Sequence, residues 1–274
     1  MPLPRALRPF LVATITFSAS LSPVQAEPIP EELLDDPHFR SEFGLNEVTT
    51  PSIRQVFVMV KNLAPLSRNS LRPSIARSTP VDRAGIALSL GGLIAEGFFF
   101  VQAHQIDELE ALAKNIADHC TALGAGDRVT RHAKALLDEA SRSSWEALEN
   151  ELASTQREVE GELVALRDVG AVHLISLGGW IRAFEIAAAL VESEFSPEGA
   201  ELLQRIDVAE YFLDSLQYLE PSVQEQPPIR ALQTQLSELA ALLKTRPQPF
   251  DAESVSKLHA QAVLIAGTAL APQR

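Results

Sequence analysis

The chain has 274 residues, 46% of them hydrophobic and only 6% aromatic, and its 36 acidic side chains outnumber its 23 basic ones for a formal net charge of −13. That balance argues against a nucleic-acid partner, which needs clustered Lys and Arg, and against broad adsorption to anionic membrane surfaces. One cysteine, Cys120, leaves no intrachain disulfide framework.

Residues 1–26 read as a secretory signal peptide. Arg5 and Arg8 supply the positive start, Phe10 to Phe17 the apolar middle, and Val24-Gln25-Ala26 a small residue at the cleavage point. Cleavage near Ala26 places the mature protein in the periplasm or outside the cell. It also removes two basic groups and no acid, taking the formal charge to −15. No cysteine follows the cleavage point, which argues against a lipoprotein anchor.

Residues 27–50 are acidic and broken by Pro28, Pro30 and Pro37, and read as an extended arm. Thr50-Pro51 starts a helix whose apolar face is Ile53, Val56, Phe57 and Val60. Residues 65–79 form a loop with Arg68, Arg72 and Arg77, the one basic cluster in an acidic chain. Such a cluster suits an anionic partner, the protein's own acidic surface, or plain solvation.

Thr79-Pro80-Val81-Asp82 predicts the next helix start, with Thr as cap and Pro at the first helical position. This helix runs to about Ala103 and is apolar almost throughout. Asp107-Glu108-Leu109-Glu110 restarts a helix whose buried side is Ile106, Leu109, Leu112, Ile116, Cys120 and Leu123, and Gly124-Ala125-Gly126 stops it. Asp127 caps a further helix with the stripe Val129, Ala133, Leu136, Leu137 and Ala140. Ser144 opens a long one through Leu166.

After Asp168 the pattern returns. Ser89-Leu90-Gly91-Gly92-Leu93-Ile94 is matched 87 residues later by Ser176-Leu177-Gly178-Gly179-Trp180-Ile181. A capped helix from Ser196-Pro197-Glu198 to Glu220-Pro221 and two more, over 228–245 and 251–270, complete the second half. No stretch alternates as a strand does. The fold class is therefore all-α: an antiparallel multi-helix bundle of two related repeats, 51–167 and 168–274, packed as one domain.

Glycine inside a helix costs about 1 kcal/mol relative to alanine. Adjacent pairs at matching places, Gly91-Gly92 and Gly178-Gly179, therefore predict that the two helices cross there with backbones in close approach. Beyond the crossing, Glu96 lies in an apolar helix and needs a partner if buried; Arg182 is placed to supply it. Phe98, Phe99, Phe100 and Trp180 are the residues that could line an apolar ligand site.

Motifs for chemistry are missing. There is no Glu-x-x-His of the di-iron bundle type, no Cys-x-x-Cys-His, and no Gly-x-Ser-x-Gly elbow. Neither a cofactor nor a metal is expected. The helices 84–103 and 169–191 approach membrane-spanning length, but Arg182 and Glu185 would each cost about 2.5–3.5 kcal/mol at a bilayer centre, and a soluble core accounts for both. The sequence therefore points to a non-enzymatic structural or partner-binding module of the cell envelope. The competing readings are a carrier of a small apolar ligand or cofactor between helices, and an enzyme using Glu96, Arg182 or a histidine.

Overall fold

The computed structural model describes residues 53–61, 79–125, 144–245 and 250–270, with a few more between 132 and 142. The proposed signal peptide, the acidic arm and Arg68, Arg72 and Arg77 lie outside the described residues. Among those described, the secondary structure is helical, with no strand.

The short helix α1 (Ile53–Lys61) is followed by α2 (Arg83–Gln102), a 20-residue helix buried from Ala84 to Val101. It starts three residues later than Thr79 would place it. Asp82, not Thr79, is the N-cap: its side chain accepts from the Gly85 N–H at 2.8 Å. At the far end His104 takes a left-handed backbone, φ 55°, and stacks on Trp145 with ring centroids 4.4 Å apart. A single 3₁₀ turn, Ile106–Glu108, then leads into α3 (Leu109–Ala122), whose start has no side-chain cap. Gly124, at φ +83°, closes α3 in a conformation that glycine adopts without strain.

Helix α4 (Trp145–Ala165) is followed by α5 (Val169–Ser193), capped by Asp168 on the Ala171 N–H. The expected single helix after Ser196 is two: α6 (Pro197–Leu202) and α7 (Ile206–Gln217), broken at Leu203-Gln204-Arg205. The turn α8 (Pro221–Gln224) connects to α9 (Pro227–Thr245), and α10 (Ala252–Ala269) ends the described chain.

Contacts fix the directions. Ser89 meets His119, and Arg83 reaches the Leu123 carbonyl, so α3 runs antiparallel to α2. Trp145 lies beside His104, and the Leu152 side chain lies beside Gly97, so α4 is antiparallel to α2 as well. In the second half α7 returns along α5 (Trp180 on Phe212, Leu219 by Gly170). Helices α9 and α10 pair antiparallel through Gln235–Thr268 and Gln261–Glu238.

The central helices depart from the antiparallel expectation. Arg83 donates to Asp168 at their starts, Gly91 meets Ile175 and Gly179 further on, and Arg182 reaches Glu96 beyond that. Helices α2 and α5 are therefore parallel. Helices α3 and α4 both run against α2, so α5 runs against both of them. Around this pair the other helices bury one continuous core of Leu, Ala, Ile and Phe side chains.

Candidate functional site

The parallel α2/α5 pair brings together most of the residues the sequence singles out. At its lower part the backbones touch. A Cβ on Gly91 would lie 1.9 Å from the Ile175 carbonyl oxygen and 2.6 Å from the Gly179 nitrogen. One on Gly178 would lie 2.0 Å from the Leu88 carbonyl oxygen. Gly179 instead faces α1: a Cβ there would meet Ile53 Cδ1 at 2.2 Å. Gly92 is buried within α2. Only hydrogen fits at Gly91 and Gly178, because the obstacle is main chain that no rotamer change can move.

About one and a half turns on, the pair becomes polar. Arg182 donates from Nη2 to Glu96 Oε1 at 2.8 Å and from Nη1 to Glu185 Oε2 at 2.7 Å. All three residues are 4% exposed or less. Glu185 sits three residues after Arg182 on one helix face, so the guanidinium fork holds one carboxylate from its own helix and one from its neighbour. Arg182 Nε, also buried, has no hydrogen-bond partner. An unmade buried N–H costs about 1–3 kcal/mol, so this cluster is not optimised for stability alone.

The four aromatic candidates do not form one ring cluster. Phe98 stacks on Phe57 of α1 at 6.0 Å and 17°, Phe99 meets Phe100 edge-on at 6.0 Å, and Trp180 stacks on Phe184 at 5.2 Å and leans on Phe212 at 5.4 Å. All four are at most 5% exposed.

Sequence reasoning missed one polar pair. His119 Nδ1 lies 2.7 Å from the Asn115 carbonyl oxygen, and Nε2 lies 3.0 Å from Ser89 Oγ. A carbonyl only accepts, so Nδ1 carries the proton, and Nε2 is left to accept from the Ser89 hydroxyl. Burial pushes the His119 pKa below its ordinary value, against the raising effects of the Asn115 carbonyl and Asp118. The geometry is that of a hydroxyl beside an unprotonated base, yet Ser89 is 2% and His119 0% exposed. The signal for it was present: His119 falls three residues after Ile116 and seven after Leu112, on the edge of the apolar stripe of α3. Next to it, Cys120 is buried, and desolvation, with Glu162 nearby, pushes its thiol up to about 12; it is no nucleophile at neutral pH.

The remaining described histidines also contact other elements. His132 is held by Glu151 of α4, His173 Nδ1 lies 3.4 Å from the Tyr211 hydroxyl, and His259 Nδ1 lies 2.5 Å from Glu192. Hydrogen bonds from Ser256 and His259 hold the Glu192 carboxyl below its ordinary range. No group of three or more His, Cys, Asp or Glu among the described residues is arranged to hold a metal ion.

These features define a class: an all-helical bundle whose centre is a parallel, glycine-tightened helix pair with a buried ion cluster. No protein-family profile, curated protein or solved structure matches the chain.

Proposed function

We propose that the mature protein is an exported, non-enzymatic helical module of the cell envelope, structural or partner-binding in role. One observation carries this reading. The groups on and beside the central pair that could do chemistry are Glu96, Arg182 and Glu185, and Ser89 with His119 of α3; each is 4% exposed or less, and within each set they hydrogen-bond one another. Catalysis needs such groups within reach of a substrate. Buried and mutually engaged, they serve to fix helices, which leaves the outer surface as the working part.

Duplication is part of the same reading. Gly91 and Gly178 are 87 residues apart, and so are the residues they touch, Leu88 and Ile175. When residue i touches j of the other unit and the equivalents touch reciprocally, the contact is that of a two-fold interface. Each half also holds a buried apolar helix, the two running in the same direction and each followed by antiparallel returns. We therefore assign residues 51–167 and 168–274 to two copies of one helical unit, meeting at a Gly-Gly crossing near a pseudo-two-fold axis. Helix α1, at the start of the first copy, has no counterpart in the second.

Native mass spectrometry of the protein secreted from its own host, without detergent, tests the functional reading. The expected mass is that of residues 27–274 with nothing bound. A bound small molecule would overturn this reading in favour of the carrier, and intact residues 1–26 on the exported protein would overturn the cleavage point.

A further inference from the structure

The two halves of the α2/α5 contact do different jobs. Near the glycines the contact is reciprocal, so by shape alone α2 would fit a second α2, and α5 a second α5. Shift every residue of one helix by 87 and the same small residues meet: Gly91 would touch Leu88 of another copy as it now touches Ile175. Such a surface recognises itself, and by its shape the natural competitor for each helix is a second copy of this chain.

The polar part breaks the equivalence. At the 87-residue offset Arg182 corresponds to Ala95, Glu96 to Ala183, and Glu185 to Phe98. A pairing of two α2 helices in this register would bury Glu96 opposite Ala95 of the other copy, with a second Glu96 close by. A pairing of two α5 helices would set Arg182 against Ala183 and leave it with Glu185 of its own helix alone. Either alternative separates Glu96 from the guanidinium that now holds it, and a buried carboxylate without that partner is far more costly than the same charge paired. The cluster also holds an unpartnered Arg182 Nε, so what it forbids accounts for it better than what it adds to stability.

We infer that Glu96, Arg182 and Glu185 are the pairing-specificity residues of this fold: they confine a self-complementary glycine crossing to α2 with α5 and exclude the like pairings, α2 with α2 and α5 with α5, that a second copy of this chain would offer. This inference rests on the duplication reading above.

The test uses the full mature chain with Cys120→Ala and Ala95→Cys, which places one thiol near the crossing. With the three charged residues intact, mild oxidation after refolding is expected to give no disulfide-linked dimer. With Glu96→Met, Arg182→Met and Glu185→Met added, linked dimer is expected to rise at least tenfold. A folded, fully helical neutral variant that stays unlinked overturns the inference. Should the neutral variant fail to fold, Glu96→Gln decides. With no charge at that position a pairing of two α2 helices strands none, and linked dimer is expected to rise; a folded Glu96→Gln variant that stays unlinked overturns the inference. The duplication reading has its own readout in the Gly91→Ala and Gly178→Ala variants. Equal losses of stability there, with no linked dimer, remove the pairing rule and leave the crossing. Unequal losses remove the symmetry on which both rest.

Discussion

The lower and upper parts of the α2/α5 contact hold the same two helices together by opposite means. Below, backbone meets backbone at Gly91 and Gly178: a carbonyl of one helix lies where a methyl of the other would be. Above, three long charged side chains fill the space, and the guanidinium of Arg182 spans the gap between backbones. The lower contact is short-ranged and intolerant of bulk, whereas the upper is long-ranged and intolerant of lost charge. The comparison teaches that close approach supplies tightness and that charge supplies identity.

The sharpest way to break the comparison is from the polar side. Arg182→Met keeps most of the volume and leaves Glu96 and Glu185 buried without their guanidinium. Removing one partner of a buried ion pair costs about 3–5 kcal/mol. Urea unfolding of this variant is expected to show a loss of that size. Neutralising both glutamates as well is expected to restore most of it, since a buried cluster replaced by apolar side chains of similar volume is often neutral in stability. If Arg182→Met alone is harmless, the upper contact is not an ion cluster in solution.

From the glycine side, Gly91→Ala and Gly178→Ala each force a methyl onto a carbonyl oxygen at about 2 Å. Overpacking of this kind costs about 3 kcal/mol, at the upper end of its usual range, because backbone must move. The two losses are expected to be equal. Gly161→Ala and Gly267→Ala are the internal controls. They lie in α4 and α10 with nothing within 4 Å of the added methyl, so the change is expected to stabilise by up to about 1 kcal/mol. The sign reversal within one substitution type separates packing from helix propensity.

How much of this was legible in the sequence differs between the parts. The helical class was, because Ala- and Leu-rich segments with caps and proline stops leave little room for strands. The start of α2 was misread because two caps compete three residues apart. Thr79-Pro80 matches the sequence pattern, but the Asp82 carboxylate reaches the Gly85 N–H. The break between α6 and α7 at Leu203-Gln204-Arg205 carries no glycine or proline and gave no sign. The parallel run of α2 and α5 was not legible, because periodicity marks where helices lie and not which way each runs. What periodicity could not give was helix rotation. It puts His119 on a buried edge without saying that Ser89 lies opposite, and it groups Phe98 with Trp180 although Phe98 turns to α1 and Trp180 to α7.

His119 gives the smallest expected effect and carries the comparison beyond the central pair, since it ties α3 to α2 through a neutral side chain. In the fold its proton sits on Nδ1, shared with the Asn115 carbonyl, and Nε2 accepts from Ser89. Protonating Nε2 would reverse the direction of its bond with the Ser89 hydroxyl and place a charge where burial has already lowered the pKa below 6.5. The unfolded chain therefore binds a proton that the folded chain refuses. Stability is complete above about pH 6.5 and falls as pH drops from there towards the folded value, by at most about 1.4 kcal/mol per pH unit for one group. Below the folded pKa both states are protonated and the fall ends. The His119→Gln variant retains a side-chain amide that can accept from Ser89 and cannot titrate. Comparing urea midpoints of the two proteins from pH 7.5 to 5 is expected to show a shallower decline for the variant. Parallel declines would mean that His119 titrates alike in both states, and that the α3–α2 tie is open to water rather than part of the buried core.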